Sequence, residues 1–132
     1  MKRLVLAMFI LACAWLSLAS APGSQAVTPK RESAVVEFPQ NVKLQNVVLR
    51  GSYIFVHDEE RMARGEACSW VYRNKNGKEG DVVTSFHCVH TENAPAKAFT
   101  VRYKRGDLPN GMLELIEFQF AGSTAGHRVP GV

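Results

Sequence analysis

From about residue 30 onward, apolar and polar positions alternate mostly at period two, the pattern of half-buried strands rather than helices. Residues 34–38 form a short apolar strand stopped by Pro39, and residues 42–50 a second, with Val42 and Leu44 alternating against Lys43 and Gln45. Gly51-Ser52 breaks that run before the β-prone Tyr53-Ile54-Phe55-Val56. The charged stretch 58–66 predicts one helical turn, with Asp58 as its cap, Glu59 and Glu60 near its positive end and Gly65 closing it. Two further strands, 67–73 and 81–90, flank a polar segment containing Asn76-Gly77, a hairpin signal. Centred on Lys78, this hairpin opposes Cys68 to Cys88, Trp70 to Phe86 and Tyr72 to Thr84, all on one face. The last hairpin pairs 99–104 with 113–120, where the apolar parity switches between Leu115 and Ile116, as a β-bulge produces. The glycine-rich tail 121–131 reads as a surface loop. Six to seven short strands with little helix predict a mainly β fold, a small antiparallel β-sandwich or barrel.

The N-terminus departs from this pattern. Met1-Lys2-Arg3 is basic, residues 4–19 are apolar except Ser17, and small and turn-forming residues follow to Ala26. This is the layout of a secretory signal peptide, with Ser24 and Ala26 as the small residues before the cut. The apolar run is slightly short for a membrane span of roughly 20 residues, so no stable transmembrane span is expected after cleavage. An uncleaved anchor and a lipoprotein acylated at Cys13 are the alternatives, although the apolar residues continue past Cys13. The organisation read from sequence is a signal peptide over 1–26, a flexible lead-in over 27–33 and a single β-rich domain over 34–132, secreted or periplasmic. Removing Lys2 and Arg3 lowers the formal charge of the 132-residue chain from +4 to +2. The remaining Lys and Arg are scattered, which argues against a nucleic-acid partner.

Cleavage removes Cys13 and leaves Cys68 and Cys88. In an oxidising compartment the first expectation is a disulfide between them. The alternative is a copper or zinc site, with Glu66, Cys68, Cys88, His90, His57 and Met62 as candidate ligands, because thiolate and imidazole suit both ions. The segment Phe86-His87-Cys88-Val89-His90 matches no established metal-ligand spacing. For catalysis, Asp58, Glu59 and Glu60 offer adjacent carboxylates and Ser69, Ser85 and Ser123 offer hydroxyls, but no nucleophile motif surrounds any of them. Residues 122–126 lack the lysine and following helix of a phosphate-binding loop.

Tyr53-Ile54-Phe55-Val56-His57-Asp58, the segment Met62-Ala63-Arg64-Gly65-Glu66-Ala67-Cys68, Ser85-Phe86-His87-Cys88 and the run from Leu115 to His127 together resemble a group of small secreted bacterial proteins of unknown function. The resemblance implies a bacterial exported protein and brings no activity, cofactor or catalytic residue with it. The leading expectation is therefore a non-enzymatic exported β-domain, stapled by Cys68–Cys88, that binds a protein or small-molecule partner or serves the envelope, with no cofactor. A periplasmic metal-handling protein is second and a small enzyme third.

Overall fold

The computed structural model describes residues 28, 30–106 and 110–132; the expected signal peptide lies outside them. Eight strands and one helical turn follow in order: β1 (Arg31–Leu44), β2 (Val47–Asp58), α1 (Glu59–Ala63), β3 (Ser69–Lys75), β4 (Lys78–Phe86), β5 (Val89–Glu92), β6 (Thr100–Arg105), β7 (Leu113–Gln119) and β8 (Ala125–Arg128). The mainly β fold is as expected. The lead-in is shorter than read, because Arg31, Glu32 and Ser33 already pair with Asp58, His57 and Val56.

β1 and β2 make one long hairpin in place of the broken strands expected from Pro39 and Gly51-Ser52. Phe38 pairs with Gly51 and Val42 with Leu49, so Pro39, Gln40 and Asn41 bulge opposite the single residue Arg50. A bulge is where a strand tolerates proline, which has no N–H to give to a ladder. The side chain of Tyr53 bridges the kink: its hydroxyl donates to the Arg50 carbonyl at 3.0 Å and accepts from the Arg50 N–H at 3.2 Å.

The β3–β4 hairpin turns on Asn76-Gly77, both at positive φ, so Lys75 faces Lys78. The centre at Lys78 is therefore corrected, and with it the register. Ser69 faces Phe86, Trp70 faces Ser85 and Tyr72 faces Val82, with register shifts on either side of Tyr72. Those shifts separate the expected aromatic pair. Phe86 joins Val71 in the main core, whereas Trp70 packs with Ile54, Val56 and Tyr72 in a small cluster of its own. The last hairpin follows the sequence closely: Arg102 faces Glu117 and Tyr103 faces Leu115, so Ile116 is the extra residue at the point where apolar parity switches.

The strand order is β4-β3-β2-β1-β7-β8-β5, with β6 on the free side of β7. Every pairing is antiparallel except β1 with β7, which run parallel over Val42–Lys43 and Leu113–Glu114. Seven strands laid flat span about 29 Å at roughly 4.8 Å per spacing. Yet β4 and β5, at opposite ends of the order, are joined only by His87 and Cys88. The three Cα steps from Phe86 to Val89 reach at most about 11 Å. So short a link obliges the sheet to curl into a half-barrel until its ends approach. Phe38, Leu44, Leu49, Phe55, Leu115, Phe118, Phe120 and Val129 form the core of that curl.

The tail is a correction too. β8 pairs with both β7 and β5, and Ser123, His127 and Val129 are buried. Gly126 makes this packing feasible, since a Cβ there would collide with Thr91 Oγ1 and Asn93 Nδ2.

Candidate metal centre

Four side chains converge where the curled sheet nearly closes. His57 is the penultimate residue of β2 and shares the parity of Tyr53 and Phe55, so its ring points to the core face and is 7% exposed. His127 lies opposite Phe118 in the β7–β8 ladder, stacks on that ring at 5.1 Å and is 2% exposed. Cys68 immediately precedes β3 and is 2% exposed, whereas Cys88, in the link between β4 and β5, is only half-buried. The ladder pair Ser69–Phe86 holds the two cysteines close together, just beyond the ends of their strands.

The sulfurs of Cys68 and Cys88 are 2.9 Å apart. This is longer than the roughly 2.05 Å of a disulfide, and both cysteines are free. The expected staple is thus not formed, although the expected partners do meet. They meet by a route other than the assumed register, from loop positions outside the ladder. The Cys88 N–H also donates to Cys68 Sγ at 3.2 Å, and Cys88 Sγ lies 3.5 Å from His127 Nδ1. The imidazoles of His57 and His127 have centroids 4.1 Å apart, and one ligand atom from each of His57, Cys88 and His127 falls within 4.8 Å of the others.

The electrostatics follow from this crowding. The Cys88 thiol donates to Cys68 and holds it well below the ordinary thiol range against the opposing effect of burial, with His57 as a further hydrogen-bonding influence. Cys88 is raised in turn, because its proton is held in the hydrogen bond to Cys68 and because it is partly buried. His127 is pushed down to about 4, first by burial and then by the neighbouring His57. His57 Nδ1 and His127 Nε2 are buried with no hydrogen-bond partner among the described residues. Buried polar atoms are rarely left so, and each such orphan calls for a cause.

A depressed histidine makes stability depend on pH. The unfolded chain takes up the His127 proton near 6.5, while the folded one resists until about 4. Stability is therefore complete above pH 6.5 and falls as pH drops through that window, by about 3 kcal/mol in the metal-free protein. Urea midpoints measured between pH 7.5 and 4.5 should show this slope, and His127→Gln should flatten it. An equal slope in both proteins would remove His127 as its source.

Of the ligands expected from sequence, Cys68, Cys88 and His57 come together and three do not. Glu66 is exposed and pairs with Arg64 at 2.8 Å, His90 is exposed beside Glu92 at 3.4 Å, and Met62 is 49% exposed on α1. His90 does face His127 in the β5–β8 ladder, but its side chain is out in solvent. The residue that sequence reading misses is His127, in a tail whose composition reads as loop. The candidates for acid–base or nucleophilic chemistry have local duties. Asp58 caps α1 through the Glu60 and Arg61 N–H groups, Glu59 accepts from the Lys30 N–H and Glu60 pairs with Arg64. Ser69 touches Cys68 Sγ at 3.9 Å, Ser123 accepts from the Ala125 N–H and Ser85 is exposed.

The donor set is the His57, Cys88 and His127 group, with the Cys68 thiol beside Cys88 as a fourth candidate donor. In a tetrahedral site with metal–sulfur bonds of about 2.3 Å and metal–nitrogen bonds of about 2.05 Å, a sulfur and a nitrogen stand about 3.6 Å apart and two sulfurs about 3.8 Å. The 3.5 Å between Cys88 Sγ and His127 Nδ1 matches the first spacing, and the sulfur pair is about 0.9 Å short of the second. Among the described residues no helix is long and apolar enough to cross a membrane. No protein-family description, curated protein or solved structure matches the chain.

Proposed function

We propose that this chain is an exported β-domain that takes up a thiophilic d10 ion, Zn(II) or Cu(I), between His57, Cys68, Cys88 and His127. The observation that carries the reading is the convergence of His57, Cys88 and His127, one ligand atom from each within 4.8 Å of the others, with the Cys68 sulfur 2.9 Å from that of Cys88. A cation would give the buried, unpartnered His57 Nδ1 a partner, and two thiolates would neutralise a divalent charge. The donor types favour soft or borderline ions over calcium or magnesium, which prefer oxygen. Their location supports a handling or structural role: the ligands come from four separate segments, and an ion among them would tie β2, β3 and β8 to the link that closes the curl. A secreted or periplasmic setting is part of the same proposal and rests on the N-terminal sequence pattern.

Titrating the reduced protein with Zn(II) should saturate at one equivalent and raise the thermal midpoint. Co(II) in its place should give thiolate-to-metal charge transfer in the near ultraviolet and strong visible bands of a tetrahedral ion. A Co(II) spectrum without the thiolate band would defeat the reading.

A further inference from the structure

The two sulfurs stand at a spacing that belongs to neither of the states they could hold. At 2.9 Å they are about 0.9 Å wider than a disulfide and about 0.9 Å closer than two thiolates on one tetrahedral ion. Both residues lie outside the hydrogen-bonded strands, Cys68 just before β3 and Cys88 in the two-residue link, so their sulfurs can move by such amounts without breaking a ladder. They also differ in access: Cys68 is buried, whereas Cys88 is partly open to solvent.

From the spacing and the unequal access, we propose that the Cys68–Cys88 pair is a redox gate on the metal site, in which a low-molecular-weight disulfide attacked by Cys88 closes the protein disulfide and expels the ion. The gate rests on the metal reading above. In the loaded protein both sulfurs would be deprotonated as ligands, and the more accessible Cys88 thiolate attacks one sulfur of the reagent RS–SR, a mixed disulfide forms on Cys88, and one thiolate RS⁻ leaves. The Cys68 thiolate then attacks Cys88 Sγ, forming the Cys68–Cys88 bond and expelling the second RS⁻. The protein pair loses two electrons, the reagent gains two, and no proton is consumed. The ion has lost two of its four donors and departs from the remaining imidazoles. The reverse reaction, with two thiols as reductant, restores the site. Both the staple and the metal centre read from the sequence are, on this view, states of one pair.

The test uses the full chain carrying Cys13→Ser, so that Cys68 and Cys88 are its two thiols, reduced and loaded with one equivalent of Zn(II), then treated with glutathione disulfide while a chromophoric chelator reports released zinc. One Zn(II) should be released per protein as intact mass falls by two hydrogens, and a dithiol followed by fresh Zn(II) should restore binding. Cys68→Ser should stop at a stable glutathione adduct on Cys88. Cys88→Ser should react at least about tenfold more slowly, since its remaining thiol is buried. If Zn(II) binds and stays bound while the disulfide forms, the gate is overturned and the metal site stands. If Cys88→Ser reacts as fast as the unaltered chain, attack does not begin at Cys88 and the gate is likewise overturned. If the reduced chain takes up no Zn(II), the metal reading falls and the gate with it.

Discussion

Cys88→Ser should lower the affinity of the reduced protein for Zn(II) by about 100-fold or more, while His90→Ala and Met62→Leu leave it unchanged. Four-ligand protein zinc sites bind with about 10–16 kcal/mol, so one ligand of four is worth roughly 3–4 kcal/mol, and each 1.4 kcal/mol is about tenfold in affinity. A serine hydroxyl fills nearly the same space as the thiol but does not ionise near neutral pH, so the fold is kept and the ligand is lost. The controls discriminate because sequence offered all three residues as ligands, whereas only Cys88 has its donor atom beside His127, at 3.5 Å. His90 and Met62 are exposed, the first beside Glu92. Competition against a chromophoric chelator gives the three affinities directly. A loss in His90→Ala as large as that in Cys88→Ser would move the site to the outer edge of β5 and end the present assignment.

Why three of the proposed ligands are legible in the sequence and one is not is a matter of where each sits in the pattern. His57 ends a clear β-prone run, and Cys68 and Cys88 are the only cysteines left after the N-terminal segment. Each therefore announces itself by position or type. His127 follows Gly122-Ser123-Thr124-Ala125-Gly126, a composition that reads as loop on local propensity alone. What makes this stretch a strand is tertiary: β8 fills the space between β7 and β5, and Gly126 is needed there for close packing beneath Thr91 and Asn93. The only local hint is the pairing of small residues with a lone imidazole, and that pairing is common in loops.

The fold shows the same division. The parity switch at Ile116 was readable because a bulge leaves a trace in the alternation itself. The bulge at Pro39 to Asn41 looked like a strand end, since proline and a glycine opposite it are also what ends strands. In the β3–β4 hairpin the polar stretch 74–80 reads as a broad loop around Lys78, whereas the turn is the tight Asn76-Gly77, which displaces the register and re-pairs the aromatics. Sulfur proximity survived that error because the shifts beside Tyr72 bring the strand ends back to nearly the same offset. The parallel contact of β1 with β7 left no mark in sequence, being set by how far the sheet curls.

Phe118→Ala should destabilise the protein by about 3–5 kcal/mol, a large share of the roughly 5–15 kcal/mol of a domain this size. Its ring is 1% exposed and meets Phe55 at 5.3 Å, Phe120 at 5.7 Å, Phe99 at 6.0 Å and Phe86 at 6.4 Å, while its other neighbour is His127 at 5.1 Å. Truncation therefore opens a cavity at the centre of the curl and removes the ring stacked on His127, one of the proposed ligands. The two effects are separable. Phe118→Leu retains most of the volume and should cost about 1–2 kcal/mol, yet it also loses the flat face beneath His127, so its Zn(II) affinity should fall more than its stability does. Saturating Zn(II) should in turn restore part of the lost stability in both variants, by about 2.7 kcal/mol at a hundredfold excess over the dissociation constant. Urea unfolding with and without the ion measures both. A loss below about 1 kcal/mol in Phe118→Ala, or a rescue by Zn(II) that persists undiminished in His127→Ala, would mean that the aromatic core and the thiol–imidazole cluster are independent of each other. The structure joins them through one stacked pair of rings, so the core that closes the half-barrel also holds the site at its seam.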